Sequence, residues 1–120
     1  MPKCILVVDD DRVSAELASR VLKSSGYDAL VARDGLEALA ILQQKIPDLI
    51  LLDVQMPNLD GYGFIRQKTS NPATAKIPVI VLTSMAQTEP LFKRYGARAY
   101  LIKPLKVQDL LDKIKSLLPD

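Results

Sequence analysis

Cys4-Ile5-Leu6-Val7-Val8-Asp9-Asp10-Asp11 joins five consecutive apolar residues to three carboxylates. The apolar half shows no polar alternation and is partly β-branched, which suits a strand covered on both faces. Leu49-Ile50-Leu51-Leu52 repeats the pattern and runs into Asp53. Pro78 to Leu82 runs into Thr83-Ser84, with its proline at the leading position where a strand tolerates one. Ala99 to Ile102 runs into Lys103-Pro104, and Ala29 to Ala32 is a shorter run of the same kind.

Helical patterns separate these runs. Arg12 to Ser25 carries Val13, Leu17, Val21 and Leu22 at helical spacing, and Gly26 follows as a stop. Asp34 is placed to cap a helix bearing Leu36, Leu39, Ile41 and Leu42, which Pro47 closes off. After a turn-rich stretch from Met56 to Gly61, a short helix is expected over Tyr62 to Lys68, then a polar loop over Thr69 to Lys76. Ala86 to Tyr95 is a polar helix interrupted by Pro90. The last helix carries Val107, Leu110, Leu111, Ile114, Leu117 and Leu118 on one face. Five strands alternating with five helices predict an α/β domain, a doubly wound parallel sheet with helices on both faces. Ligands of such sheets sit at the carboxyl ends of the strands.

Composition narrows the chemistry. The 120 residues are 48% apolar and 25% charged, enough for one domain with a real core. A net charge of +2 lends no support to nucleic-acid binding. The single cysteine, Cys4, excludes an internal disulfide, and inside the first strand it reads as a small buried hydrophobe. There is no histidine, so imidazole catalysis and imidazole-ligated zinc are excluded. Apolar runs too short to span a bilayer, and a start that enters a strand without a leader, give a cytoplasmic domain without membrane insertion as the expectation.

Four of the five strands deliver polar groups to the same rim: Asp9, Asp10 and Asp11, then Asp53, then Thr83 and Ser84, then Lys103. Each alone has an ordinary explanation. The acidic triplet suits a helix N-terminus, Asp53 a turn, Thr83 a cap and Lys103 solvated surface. Together they imply more. Asp9, Asp10 and Asp53 would crowd three negative charges against Lys103, and carboxylates at contact distance raise one another's pKa. A divalent cation brings that sum to zero, and all-oxygen ligands suit Mg²⁺. A carboxylate beside a metal and a lysine is equipped to accept a phosphoryl group.

At this point the chain resembles the receiver domain of two-component response regulators, most closely the single-domain chemotaxis-type members. The matching pieces are V-V-D-D-D at 7–11, D-G-L-E-A-L at 34–39, P-D-L-I-L-L-D-V-Q-M-P-N-L-D-G at 47–61, P-V-I-V-L-T at 78–83 and G-A-R-A-Y-L-I-K-P-L at 96–105. Five pieces in order at family-like spacing cover essentially the whole chain. The expected sheet is then flavodoxin-like, with strand order 2-1-3-4-5.

The resemblance implies that Asp53 accepts a phosphoryl group from a phosphohistidine on a histidine kinase or histidine phosphotransfer protein. It implies Mg²⁺ (or Mn²⁺) held by Asp9, Asp10, Asp53 and the backbone carbonyl of Gln55, with Asp10 the direct ligand and Asp9 acting through water. Lys103 is expected to pair with Asp53 and then with the phosphoryl oxygens, ahead of a cis bond to Pro104. Thr83 becomes the switch hydroxyl and Tyr100 the coupled aromatic, although the residues alone favour reading Tyr100 as a half-buried strand residue with a solvated hydroxyl. Output is expected through the fourth helix, fifth strand and fifth helix onto a protein target, not onto nucleic acid, and the chain is a phosphoacceptor rather than an enzyme that turns over substrate.

Three departures and three alternatives accompany the resemblance. The segment from Thr83 to Lys103 is short and contains Pro90, so its helix is expected to be short or displaced. Ser84 stands where alanine is common, and neither Gln55 nor Met85, which flank the acceptor in the family, is a base for attacking water. An aspartate-nucleophile phosphatase of the haloacid dehalogenase type would need D-x-D, whereas Val54 and Gln55 follow Asp53. A flavin binder would need a carboxylate-free phosphate loop in place of Asp9-Asp10-Asp11. A scaffold that has lost the chemistry would not need the acceptor, metal and lysine positions together.

Overall fold

The computed structural model describes residues 2–53, 61–83, 97–103 and 106–118, with Gly61 and Tyr62 described as backbone only. Within them the order is β1 (Cys4–Val8), α1 (Arg12–Ser24), β2 (Asp28–Ala32), α2 (Gly35–Gln44), β3 (Leu49–Asp53), α3 (Gly61–Ser70), β4 (Val79–Thr83), β5 (Ala99–Ile102) and a C-terminal helix (Val107–Leu117). The expected helix over Ala86 to Tyr95, with Pro90, Ser84 and Met85, lies outside the described residues, as do Gln55 and Pro104.

All strand pairs are parallel, in the order β2-β1-β3-β4-β5. The expected doubly wound, flavodoxin-like sheet is therefore the one observed. β1, β3 and β4 are buried along their full length, which is why their sequences run apolar without alternation. Successive side chains nevertheless go to opposite faces. Leu6, Val8, Ile50, Leu52, Val79 and Val81 pack with Ala38 and Leu42 of α2 and Phe64 and Ile65 of α3. Ile5, Val7, Leu49, Leu51, Ile80 and Leu82 pack with Ala15 and Leu22 of α1 and with Leu110 and Ile114 of the C-terminal helix.

Local chemistry sets the helix ends. Asp34 accepts the Glu37 N–H at 2.8 Å and caps α2. At the end of α1 the Tyr27 N–H donates to the Leu22 carbonyl at 3.0 Å and the Gly26 N–H to Lys23 at 3.2 Å, with Gly26 at φ 93°. That is a Schellman turn, whose left-handed residue favours glycine. Leu22 and Tyr27 share the core behind it.

Of the apolar set its spacing predicts, helix α1 buries Leu22 and half-buries Val21 but turns Val13 and Leu17 outward. Val13 and Leu17 are 65% and 56% exposed, while Ala15 and Leu22 are buried and Ala18 packs beside them. Ala15, Ala18 and Leu22, spaced i, i+3 and i+7, form the face toward the sheet, and Val13 and Leu17 lie on the opposite side of the helix. The loop after α3 also departs from a simple polar connection. The helix continues through Ser70, and Lys68 is 2% exposed. Its Nζ donates to the Ala75 carbonyl at 2.9 Å, and Thr74 Oγ1 donates to the Lys68 carbonyl at 2.6 Å.

Burial, reinforced by the Arg98 charge, pulls the Lys68 amine down from 10.5 to about 8. The folded chain then releases this proton earlier than the unfolded chain. The cost of the buried charge is fully present below about pH 8 and is relieved as pH rises toward 10.5. Urea melts are expected to show stability gained over that window, relative to a Lys68→Met variant that lacks the titrating group. Parallel profiles for the two proteins would show that Lys68 does not titrate there.

Candidate functional site

Parallel pairing in register brings the strand ends to one rim. Val8 faces Leu52, Asp53 faces Leu82, and Thr83 faces Ile102. Backbone pairing continues one residue beyond two of the strands. The Asp9 N–H donates to the Ala32 carbonyl at 3.0 Å, and the Lys103 N–H to the Thr83 carbonyl at 2.8 Å. Both side chains are thus carried by backbone held in the sheet.

One carboxylate oxygen from each of Asp9, Asp10 and Asp53 lies within 4.8 Å of the others. Asp9 and Asp53 are buried and Asp10 is exposed. Lys103 Nζ lies 3.2 Å from Asp53 Oδ2, across 50 residues of sequence. Asp53 is the last residue of β3 and Thr83, also buried, the last of β4. Tyr100 is half-buried, in register with Val81, and packs against the core shared with α2 and α3. Strand alternation puts it on the same side of the sheet as Thr83, diagonally across β4 and β5.

The acidic triplet divides its labour. Asp11 accepts from the Val13 N–H at 3.2 Å and from Ser14 Oγ at 2.7 Å, so it caps α1. Chiefly through the Ser14 bond, its carboxyl sits below the ordinary range. Its own N–H donates to Asp9 Oδ1 at 2.9 Å and fixes that carboxylate toward the rim. Asp11 thus caps the helix, while Asp9 and Asp10 lie beside Asp53 at the rim. Ser14 was not singled out by the sequence reading; its place three residues after Asp11, at the start of a helix, is the signal that would have found it.

Burial, with the neighbouring Asp53 carboxylate adding to it, pushes Asp9 up from 3.8 to about 6, against the pull of the Asp11 N–H and Lys103. Such a group costs stability when ionised. The cost is fully present above about pH 6 and is relieved as pH falls toward 3.8. Chelated protein is therefore expected to gain stability relative to an Asp9→Asn variant as pH drops through this window, and saturating Mg²⁺ should flatten the difference by fixing the carboxylate ionised. Thermal melts at stepped pH check this; identical slopes with and without Mg²⁺ would show that the cation does not reach Asp9.

Three carboxylates against one ammonium leave two uncompensated negative charges, and a divalent ion neutralises them. The donors are all oxygen, as Mg²⁺ or Mn²⁺ prefers. By charge and donor chemistry these residues fit such an ion.

Known proteins match the chain over this whole framework. The family described as response regulator receiver domain matches residues 5–115. The polar-differentiation response regulator DivK of Brucella anthropi is 34% identical over 122 residues, covering 100% of this chain and 99% of that protein. The DNA-binding dual master transcriptional regulator RpaA of Synechocystis is 38% identical over 98% of this chain, which spans about half (49%) of that longer regulator. Among solved structures, Vibrio cholerae chemotaxis protein CheY4 superposes with a TM-score of 0.92 at 30% identity, covering 98% of this chain and 100% of that one. The receiver domain of sensor histidine kinase PA1611 from Pseudomonas aeruginosa, with a magnesium ion coordinated in its active-site cleft, superposes with a TM-score of 0.89 at 28% identity, covering 98% of each chain. Among the described residues no helix is long and apolar enough to cross a membrane.

Proposed function

The chain belongs to the response regulator receiver domain family, the phosphorylation-activated switches of two-component systems, and from that premise we propose that Asp53 is its phosphoacceptor. The observation carrying this is the buried Asp53 carboxylate held between Lys103 and the Asp9–Asp10 pair. An Asp53 oxygen attacks phosphorus and the P–N bond of the donor phosphohistidine breaks. Its electron pair leaves on the imidazole nitrogen, which takes up a proton, and an acyl phosphate remains on Asp53. Lys103 is placed to follow the charge from the carboxylate onto the phosphoryl oxygens.

Asp9, Asp10 and Asp53, with the Gln55 carbonyl expected from the sequence, would hold Mg²⁺ or Mn²⁺. Such an ion supplies charge compensation for the approaching phosphoryl oxygens. Phosphorylation takes the acceptor from one negative charge to nearly two and adds strong acceptor oxygens. The Thr83 hydroxyl and the Lys103 ammonium gain interactions in that state, which biases a two-state equilibrium. Movement of Thr83 toward the phosphoryl group frees volume along β4, and Tyr100, diagonal to it on the same face, is placed to turn inward. The signal would leave through β5 and the helices beside it to a protein target.

The donor would be a histidine kinase or a histidine phosphotransfer protein, and the setting a cytoplasmic phosphorelay or chemotaxis-type pathway. DivK and CheY4, each matched along nearly its whole length, support residues 1–120 forming one receiver domain. Self-dephosphorylation by water attack on the acyl phosphate belongs to the same reading.

The test is incubation with a small-molecule phosphodonor and Mg²⁺, read by intact mass. Gain of a single phosphoryl group is expected, absent when chelator is present during the incubation and removed afterwards by alkaline hydroxylamine. Label that forms in chelator and survives hydroxylamine would place the phosphate on a different kind of residue.

A further inference from the structure

A groove of about 540 Å³ runs between α1 and β2, opens beside Asp9, and is lined by Arg12, Glu16, Arg20, Lys23, Val31 and Arg33 among others. This volume falls within the roughly 300–1,000 Å³ of ligand sites. Its wall on α1 is one stripe of residues at helical spacing, and it carries most of the cations. Arg12 is occupied by Glu16 at 3.3 Å and Arg33 by Glu37 at 3.6 Å. Arg20 and Lys23, one turn apart, have no acidic partner among the described residues. The floor is apolar: Ala15 of α1 and Val31 of β2, the latter 37% exposed. β2 hydrogen-bonds only to β1, so its outer edge has no strand partner among the described residues.

We propose that this groove binds an extended, carboxylate-rich segment of a partner protein, laid along the β2 edge with its acidic side chains on the face toward α1, against Arg20 and Lys23. An open strand edge offers main-chain hydrogen bonds to an extended chain, and alternate side chains of an added strand fall on one face. The two unpartnered cations give that face its charge preference. A nucleotide fits less well, because the lining has no aromatic ring on which a base would stack. Asp9 of the acidic cluster lines one end of the groove, but Arg20 and Lys23 take no part in the phosphoryl chemistry, and the proposal does not depend on Asp53 being the acceptor.

The probe is a fluorescent peptide alternating Glu and Val, titrated by anisotropy at low ionic strength, where exposed charges are least screened. The parent protein should bind it. The double variant Arg20→Glu/Lys23→Glu should bind at least about tenfold more weakly. A charge-matched control outside the groove, Lys76→Glu/Lys115→Glu, should keep most of the affinity, and a Gln–Val peptide should bind poorly. The proposal is overturned if the parent does not bind, or if both double variants lose affinity equally, since net charge alone would then explain binding. It is overturned as well if the Gln–Val peptide binds as tightly, or if a single-stranded oligonucleotide of equal charge binds tighter than the acidic peptide.

Discussion

Asp53→Asn is expected to abolish covalent phosphoryl uptake while the protein stays folded. Asparagine keeps the shape of the side chain at the end of β3 but has no carboxylate oxygen to form the acyl phosphate. The fold has little reason to suffer. The substitution removes one of three crowded negative charges, and the Lys103 side chain, about one-third exposed, can be solvated when its ionic partner goes. The buried neighbour Asp9 is relieved as well, since the Asp53 charge is one of the causes raising it. Intact mass after phosphodonor treatment should show no added phosphoryl group, with a thermal midpoint at or above that of the parent in chelator. Persistent labelling of a folded Asp53→Asn protein would move the acceptor elsewhere and void the assignment.

Asp10→Ala should cost the largest share of divalent-ion affinity. Asp10 is the exposed member of the acidic cluster, so as a ligand its carboxylate is reached with little desolvation. Removing it leaves two carboxylates against Lys103 and halves the charge the cation compensates. A loss of at least about tenfold in Mg²⁺ affinity is expected, the scale on which supporting groups of metal sites act. Calorimetric titration gives the number directly. The same loss appears as a smaller stabilisation by Mg²⁺, because a ligand bound only by the folded state raises stability with its concentration over Kd. An unchanged Mg²⁺ affinity would remove Asp10 from the ligand set and with it the proposed three-carboxylate site. Phosphoryl uptake should fall in parallel and recover in part at high Mg²⁺, which distinguishes a lost ligand from a lost acceptor.

Much of this was legible from residue order. Unbroken apolar runs at Cys4–Val8 and Leu49–Leu52 mark fully buried parallel strands, because burial on both faces removes the usual alternation. Polar groups directly after those runs mark the rim, because parallel strands must end on the same edge. Spacing was a poorer guide to which helical face is buried. Val13 and Leu17 have the right period, yet the face toward the sheet is Ala15, Ala18 and Leu22, an equally periodic set on the opposite side of the helix. The sequence places Lys68 only at the end of a short helix before a polar loop. Its burial depends on the Ala75 carbonyl and on Thr74, contacts that local sequence does not encode.

The amino-acid order by itself determined the sheet, its covered faces and the identity of the groups at its rim, because strand burial and helix periodicity are local properties. Tertiary structure decided the division within Asp9-Asp10-Asp11, the 3.2 Å approach of Lys103 to Asp53, and the groove beside β2. Each of these depends on elements distant in the chain arriving at fixed separations. Electrostatic energy and desolvation follow those distances, not residue types alone.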